Sequence, residues 1–352
     1  MIFKRNLYFI NIVLFNYKKL SYIFITFINR IKTIFKEINM TLPNFIMPGA
    51  PKSGTTSLHI YLREHPEVVM SAPKEPYFFC GKITNEALEK YNDCFSYNGK
   101  KKNSVKMIGE SSSVYLCSPK APIRIKKLLG KNVKFIFLLR NPTERTISAY
   151  LHMYKRDAEK RTPYQALVFN SKNKEKVILE ETKQIDEAIN NKKIIVNKSW
   201  KVPDEPLQHF HYVRNSFYSI HLKEYFDFFP RKNFLFLFTE DLKNEPIKTF
   251  KRVETFLGID TSFIPTGIGV IHNKTYVPNN NLFSKLVSNF VSTVAKYINT
   301  DIKFIRKIYG FMAGSNKFDI DHKTRNYLNS LFQQEKESLS KLIGEDVSSV
   351  WN

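Results

Sequence analysis

Three short stretches of the chain carry residues able to manage anions and protons. The first reads Phe45-Ile-Met-Pro-Gly49-Ala-Pro51-Lys52-Ser53-Gly54-Thr55-Thr56-Ser57-Leu58. An apolar run enters a loop with two glycines, and a helical apolar face (Leu58, Tyr61, Leu62) begins directly after it. Strand, glycine loop and helix form a phosphate cradle, because backbone N–H groups and the helix N-terminus point at the anion. Pro51, Lys52 and Gly54 shape that loop, and Ser53, Thr55, Thr56 and Ser57 add hydroxyl donors. Gly49 and Gly54 have the spacing of the common nucleoside-triphosphate loop, yet Thr55 stands where that loop carries its lysine. The cation has moved inside the loop, to Lys52. An ordinary βα turn with Gly and Thr is the plainer alternative.

The second stretch begins with Val133-Lys-Phe-Ile-Phe-Leu-Leu139, a continuous apolar run suited to a buried parallel strand. Arg140-Asn-Pro-Thr-Glu-Arg145-Thr-Ile-Ser148-Ala-Tyr150 follows. Pro142 can open a helix in its first turn. Arg145 and Ser148 are three apart and share a helix face. Arginine at a strand end with serine further into the helix makes a second anion site. The third stretch is Lys74-Glu75-Pro76-Tyr77-Phe78-Phe79. A carboxylate beside aromatic rings loses solvation, so Glu75 is expected to have a raised pKa and to accept protons more readily near neutrality.

The elements that position these residues alternate strand and helix. They predict an α/β fold, a P-loop-like central parallel sheet flanked by helices in a single domain, with ligands at the carboxyl ends of the strands. Asn233–Thr239 reads as a further strand. A helix follows, capped by Asn244, with Ile247, Phe250, Val253 and Leu257 on one face and Gly258 closing it. The final helix turns Tyr327, Leu328, Leu331, Leu339 and Leu342 inward. Residues 155–205 mix twelve basic with nine acidic side chains and read as a partly helical surface insertion with a solvated face.

Pro51–Leu58 resembles the 5′-phosphosulfate loop of sulfotransferases that use 3′-phosphoadenylyl sulfate (PAPS), in the branch of the heparan sulfate enzymes and their bacterial relatives. The segment from Arg140 to Tyr150 is similar to the 3′-phosphate motif RxPxxRxxSxY of that family, which implies that Arg140 and Ser148 bind the donor's 3′-phosphate. Lys74 to Phe79 resembles the KE-x-x-FF element, which implies Glu75 as general base and Lys74 as an active-site cation. Lys52 would then stand beside the oxygen bridging phosphorus and sulfur, where charge builds as the bond breaks. Gly109-Glu110-Ser111-Ser112-Ser113-Val114-Tyr115 departs from the family's GEKSPxY. Ser111 replaces the lysine that meets acidic acceptors, and Ser113 replaces the proline. Tyr218 matches a donor-site tyrosine, while Ser216 replaces a glycine before it. Lys274, in His272-Asn-Lys-Thr275, matches a late loop over the donor. The resemblance runs from about Leu42 to Trp351 and implies a domain over 42–352.

The chain has 352 residues, and its formal charge of +23 calls for an anionic partner or reflects biased composition. No recognisable nucleic-acid motif accompanies the charge. Residues 1–41 form a basic, aromatic extension, with seven Lys/Arg against Glu37 up to Leu42. Its apolar runs fall short of the roughly 20 residues needed to span a bilayer. It reads as a helix lying on an anionic membrane surface, as sequence before a true start at Met40, or as a poor uncleaved anchor. Cys80, Cys94 and Cys117 fit no metal spacing, and no metal is expected. Reduced thiols, and the lack of the cysteine pair of secreted relatives, point to a cytoplasmic enzyme, either free or at a membrane surface.

The function expected is in-line transfer of the sulfuryl group of PAPS to a glycan hydroxyl or amine, leaving 3′-phosphoadenosine 5′-phosphate. A lipid or small-molecule acceptor is the alternative. A P-loop kinase fits less well, because the loop lysine is displaced and no acidic residue follows an apolar strand in the Walker-B manner.

Overall fold

The computed structural model describes residues 40–197, 202–270 and 320–351. The basic N-terminal extension, the choice between Met1 and Met40, and Lys274 lie outside the described residues. The chain divides after Leu42, and the second unit, from Pro43 on, is the one described here.

Five strands form one parallel sheet: β1 (Phe45–Gly49), β2 (Val68–Met70), β3 (Met107–Glu110), β4 (Lys134–Leu139) and β5 (Phe234–Phe238). Their order is β2-β3-β1-β4-β5, and every pairing is parallel. Strands buried on both faces need apolar side chains at consecutive positions. Phe135 to Leu139 supply that run, and all five are buried. On one face Phe45, Met47, Ile136 and Leu138 pack with Leu58 and Leu62 of helix Thr55–Glu64 and with Phe250, Val253 and Leu257 of helix Pro246–Leu257. On the other, the rings of Phe135 and Phe137 meet Tyr225 of helix Tyr218–Phe226 edge-on. Full burial of one such large apolar side chain contributes about 1.5–3 kcal/mol.

The strand order sets where a ligand can sit. After β1 the chain crosses to the β2 edge, and after β4 it crosses to β5 on the opposite side. The two loops therefore diverge from adjacent strand ends, leaving the crevice at the topological switch point of an open α/β sheet. The loop at residues 50–54 and the turn at Arg140–Asn141 flank that crevice.

Two details differ from expectation. Ile247 is half exposed, because the apolar face of its helix runs through Phe250, Val253 and Leu257. Asn244 ends a short helix (Thr239–Asn244) rather than capping the next one, whose N-cap is Glu245. The larger difference is residues 155–205. Helix Lys174–Asn190 turns Val177, Glu181, Ile185 and Ala188 inward, at helical spacing. Val177, Ile185 and Ala188 join a second core with Ile147 and Tyr150 of helix Pro142–Tyr154 and with Leu328, Leu331 and Phe332 of helix His322–Ile343. Mixed charge on the outer face masks this inner stripe in the sequence.

Candidate active site

At Gly49 the chain passes too close to its neighbour for any side chain. A Cβ there would lie 2.8 Å from both Leu116 Cβ and the Ser113 carbonyl oxygen. Gly54 has φ 92°, the left-handed conformation from which helix Thr55–Glu64 starts, and an L side chain adopts it only with strain. Lys52 itself has φ 71°. The Thr239 hydroxyl at the end of β5 meets the carbonyls of Ser53 (2.7 Å) and Leu139 (3.0 Å), tying the loop to the end of β4. The Ser53 hydroxyl is buried and, among the described residues, has no partner.

The second loop is built as its sequence suggests. The Asn141 side chain accepts from the Thr143 and Glu144 N–H groups (3.0 and 3.4 Å), and Pro142 fills the first helical position. Arg140 Nη1 donates to the Lys52 carbonyl (3.2 Å), joining the two loops, and its Nη2 lies 3.8 Å from Glu144 Oε2. Tyr218 is fully buried and donates its hydroxyl to the Arg140 carbonyl (2.9 Å), so it stands behind the arginine. The Asn141 N–H meets Glu240 Oε1 (3.3 Å), and Glu240 Oε2 accepts from the Trp351 indole (3.0 Å). Ser148 is buried on the same helix. Arg145 is not on the crevice side. Its buried guanidinium donates to Ser216 Oγ (2.6 Å) and to the Tyr212 carbonyl, bracing the segment before Tyr218.

Glu75 accepts from Lys74 Nζ (2.5 Å) and the Ser113 hydroxyl (2.8 Å) at Oε1, and from the Tyr77 hydroxyl (2.6 Å) at Oε2. The expectation of a raised pKa is overturned. Burial pushes the carboxyl up, but the Lys74 charge and three hydrogen bonds win and hold it at about 2. Glu75 is a permanent carboxylate near neutral pH. The Tyr77 N–H donates to Ser112 Oγ (3.1 Å), and Ser112 donates to the buried Glu110 (2.8 Å). Ser111, where the family pattern has lysine, lies 2.6 Å from His59 Nδ1. Among the described residues, Lys52, Glu75 and Tyr77 are three of seven non-glycine positions with positive φ. Such backbone costs roughly 1–3 kcal/mol each, so strain is concentrated in this site.

Sequence reasoning missed His152 and Arg156. His152 Nδ1 lies 3.1 Å from Lys52 Nζ, and Arg156 Nη1 meets Nε2 of the same ring. Ser148, His152 and Arg156 recur every four residues, and that spacing was a signal for one helix face. Burial, then the charges of Arg156, Arg140 and Lys155, lower Lys52 to about 8, against the opposing pull of Glu75. Crowded cations and an orphaned hydroxyl beside a glycine loop form a site chemically able to take a phosphate or sulfate group. Among the described residues, no group of His, Cys, Asp and Glu could hold a metal. The three cysteines are free thiols, and no described helix is long and apolar enough to cross a membrane.

Residues 42–339 match the family described as the sulfotransferase domain. The chain belongs to that family, whose members are transferases. It is 40% identical over 111 residues to the membrane-associated sulfotransferase kil1 of Dictyostelium discoideum, covering 32% of this chain and 23% of that protein. It is 23% identical over 307 residues to the bifunctional heparan sulfate N-deacetylase/N-sulfotransferase 4 of Mus musculus, covering 86% of this chain and 30% of that one. The chain thus spans less than a third of the length of either relative. A sulfotransferase structure from Alicyclobacillus acidocaldarius superposes with a TM-score of 0.58 at 20% identity, over 89% of this chain and 100% of that one, and shows the shared fold.

Proposed function

We propose that the protein transfers the sulfuryl group of PAPS to a hydroxyl or amine of a glycan. The observation that carries this reading is the join between the two loops, Arg140 to the Lys52 carbonyl at the switch-point crevice. One ligand with anionic groups at both ends of a nucleotide would satisfy both loops. Lys52, with Pro51, Ser53, Gly54, Thr55, Thr56 and Ser57, would hold the 5′-phosphosulfate. Arg140 and Ser148 would hold the 3′-phosphate, with Tyr218 fixing Arg140 from behind. Lys274 is assigned to the donor by family resemblance alone, and so is the domain span 42–352.

Glu75 is the proposed base. Among the described residues its Oε2 accepts only from Tyr77, which leaves a lone pair for the acceptor's proton. A carboxylate held at about 2 is a weak base. In a loose transition state the acceptor oxygen becomes acidic as it bonds to sulfur, so late proton transfer to a weak base suffices, as in phosphoryl transfer. Lys74 would then offset the charge near the transferring group. The heparan sulfate relatives favour a glycan acceptor, and Ser111 in place of a lysine argues for one with less acid at that position. The likeness to a membrane-associated relative, with the basic aromatic residues 1–39, supports a lipid acceptor as the second reading, with peripheral association to an anionic membrane. The test is transfer of radiolabelled sulfate from PAPS to desulfated heparan and to a lipid extract. Label on the polysaccharide that vanishes in Glu75→Gln supports the glycan reading. Label only in lipid replaces it, and label surviving in Glu75→Gln removes Glu75 as base.

A further inference from the structure

Arg140 and Asn141 share one peptide unit, and that unit is held on both sides. Its carbonyl accepts from the buried Tyr218 hydroxyl (2.9 Å). Its N–H donates to Glu240 Oε1 (3.3 Å). The sequence explains why it needs holding. Pro142 disfavours the helical conformation at Asn141, which has ψ 122°. Strand β4 therefore ends and the next helix begins across a short irregular joint. The Arg140 side chain leaves the main chain at that joint, so the plane of this peptide sets where its guanidinium points.

One side chain backs both clamps. The Trp351 indole N–H donates to Glu240 Oε2 (3.0 Å), and its ring lies against Tyr218, with centroids 6.2 Å apart. Phe238, at the end of β5, meets the same ring edge-on at 5.3 Å. Trp351 is buried and is itself anchored. Lys336 Nζ of helix His322–Ile343 donates to its carbonyl (2.8 Å), and its own N–H meets the Val347 carbonyl (3.0 Å). The family match ends at residue 339, so Trp351 lies outside the segment that defines the class.

We infer that Trp351 is a positioning residue for donor binding: through Glu240 and Tyr218 it fixes the Arg140–Asn141 peptide and so aims Arg140 at the donor's 3′-phosphate. This inference rests on the donor reading of the two loops. Glu240 uses one oxygen for each N–H, so the indole and the Asn141 amide hold its side chain in a single orientation. Without the indole, that orientation is free to change, and the peptide loses a fixed acceptor. The loss falls on the 3′-phosphate contact. The rest of the nucleotide, held by the first loop, is spared.

The test compares 3′-phosphoadenosine 5′-phosphate with adenosine 5′-phosphate, the same nucleotide without its 3′-phosphate. Affinities are read by calorimetry, the weaker ligand by displacement. Trp351→Phe keeps a ring against Tyr218 and Phe238 but removes the indole N–H. Glu240→Gln keeps the shape but has one amide oxygen, so one of the two N–H groups loses its acceptor. In each variant the Kd of the bisphosphate should rise roughly three- to tenfold, the worth of one hydrogen bond, while that of the monophosphate stays within about twofold. A general loosening of the fold would weaken both ligands alike. The inference falls if either folded variant keeps the wild-type preference for the bisphosphate, or if both ligands weaken by the same factor. Circular dichroism identifies the folded variants, and Glu240→Gln decides alone should Trp351→Phe fail to fold. A wild type with no preference for the bisphosphate overturns the donor reading, and the inference with it.

Discussion

The crevice and the helical region beside it both bury ionisable groups, and they treat them in opposite ways. In the helical region each buried carboxylate is fully engaged. Glu181 accepts from the Val213 and Arg214 N–H groups (2.7 and 2.8 Å). Glu159 holds Arg161 Nη2 (2.7 Å) and the Tyr212 hydroxyl (3.1 Å). Glu335 accepts from the Ser219 N–H (2.7 Å) and hydroxyl (2.8 Å). At the crevice, burial and then the charges of Arg156, Arg140 and Lys155 lower the Lys52 pKa to about 8, and Glu75 opposes them without offsetting them. Buried charge matched within the protein is structural, because breaking the match is costly. Crowded charge of one sign beside a glycine loop is an arrangement that an anionic ligand would match.

The sharpest break of that comparison is Glu75→Gln. Loss of a positioned base lowers turnover by about 10²–10⁴-fold, while donor affinity measured by calorimetry stays within a few-fold. A comparable loss of donor binding would move Glu75 to the donor side of the site. Next is Arg140→Ala, which should weaken binding of 3′-phosphoadenosine 5′-phosphate roughly tenfold to a hundredfold, the worth of a hydrogen-bonded charge. Glu181→Ala sharpens the contrast from the other region. It strips two backbone N–H groups of their acceptor and should cost about 2–4 kcal/mol in chemical denaturation, with donor affinity of the folded fraction unchanged. The smallest effect is expected from Tyr218→Phe. It removes only the hydrogen bond to the Arg140 carbonyl, worth about 1 kcal/mol, and should raise the donor Kd about fivefold with turnover at saturation unaltered.

The parallel sheet and both loops were legible because each depends on local pattern: apolar runs, glycine spacing, and proline in a first helical turn. Whatever depends on side chains meeting across the fold was not. The pKa of Glu75 is a contest between burial and Lys74, Tyr77 and Ser113, and Ser113 is 38 residues away in sequence. Arg145 looks identical in kind to Arg140, yet one faces Ser216 and Tyr212 and the other faces the loop. Helix Lys174–Asn190 hides its inward stripe because one of the four inward residues is Glu181, a carboxylate with a structural task. His152 and Arg156 were within reach, since they repeat the helical spacing of Ser148.

The proposed function requires that the two loops together bind a nucleotide carrying a 3′-phosphate. The direct measurement is the affinity of 3′-phosphoadenosine 5′-phosphate against ATP by calorimetry near neutral pH, in the wild type and in Arg140→Ala. The bisphosphate should bind the wild type at least tenfold more tightly than ATP, and Arg140→Ala should erase most of that preference. Equal affinity for the two nucleotides, or a preference that survives in Arg140→Ala, would contradict it.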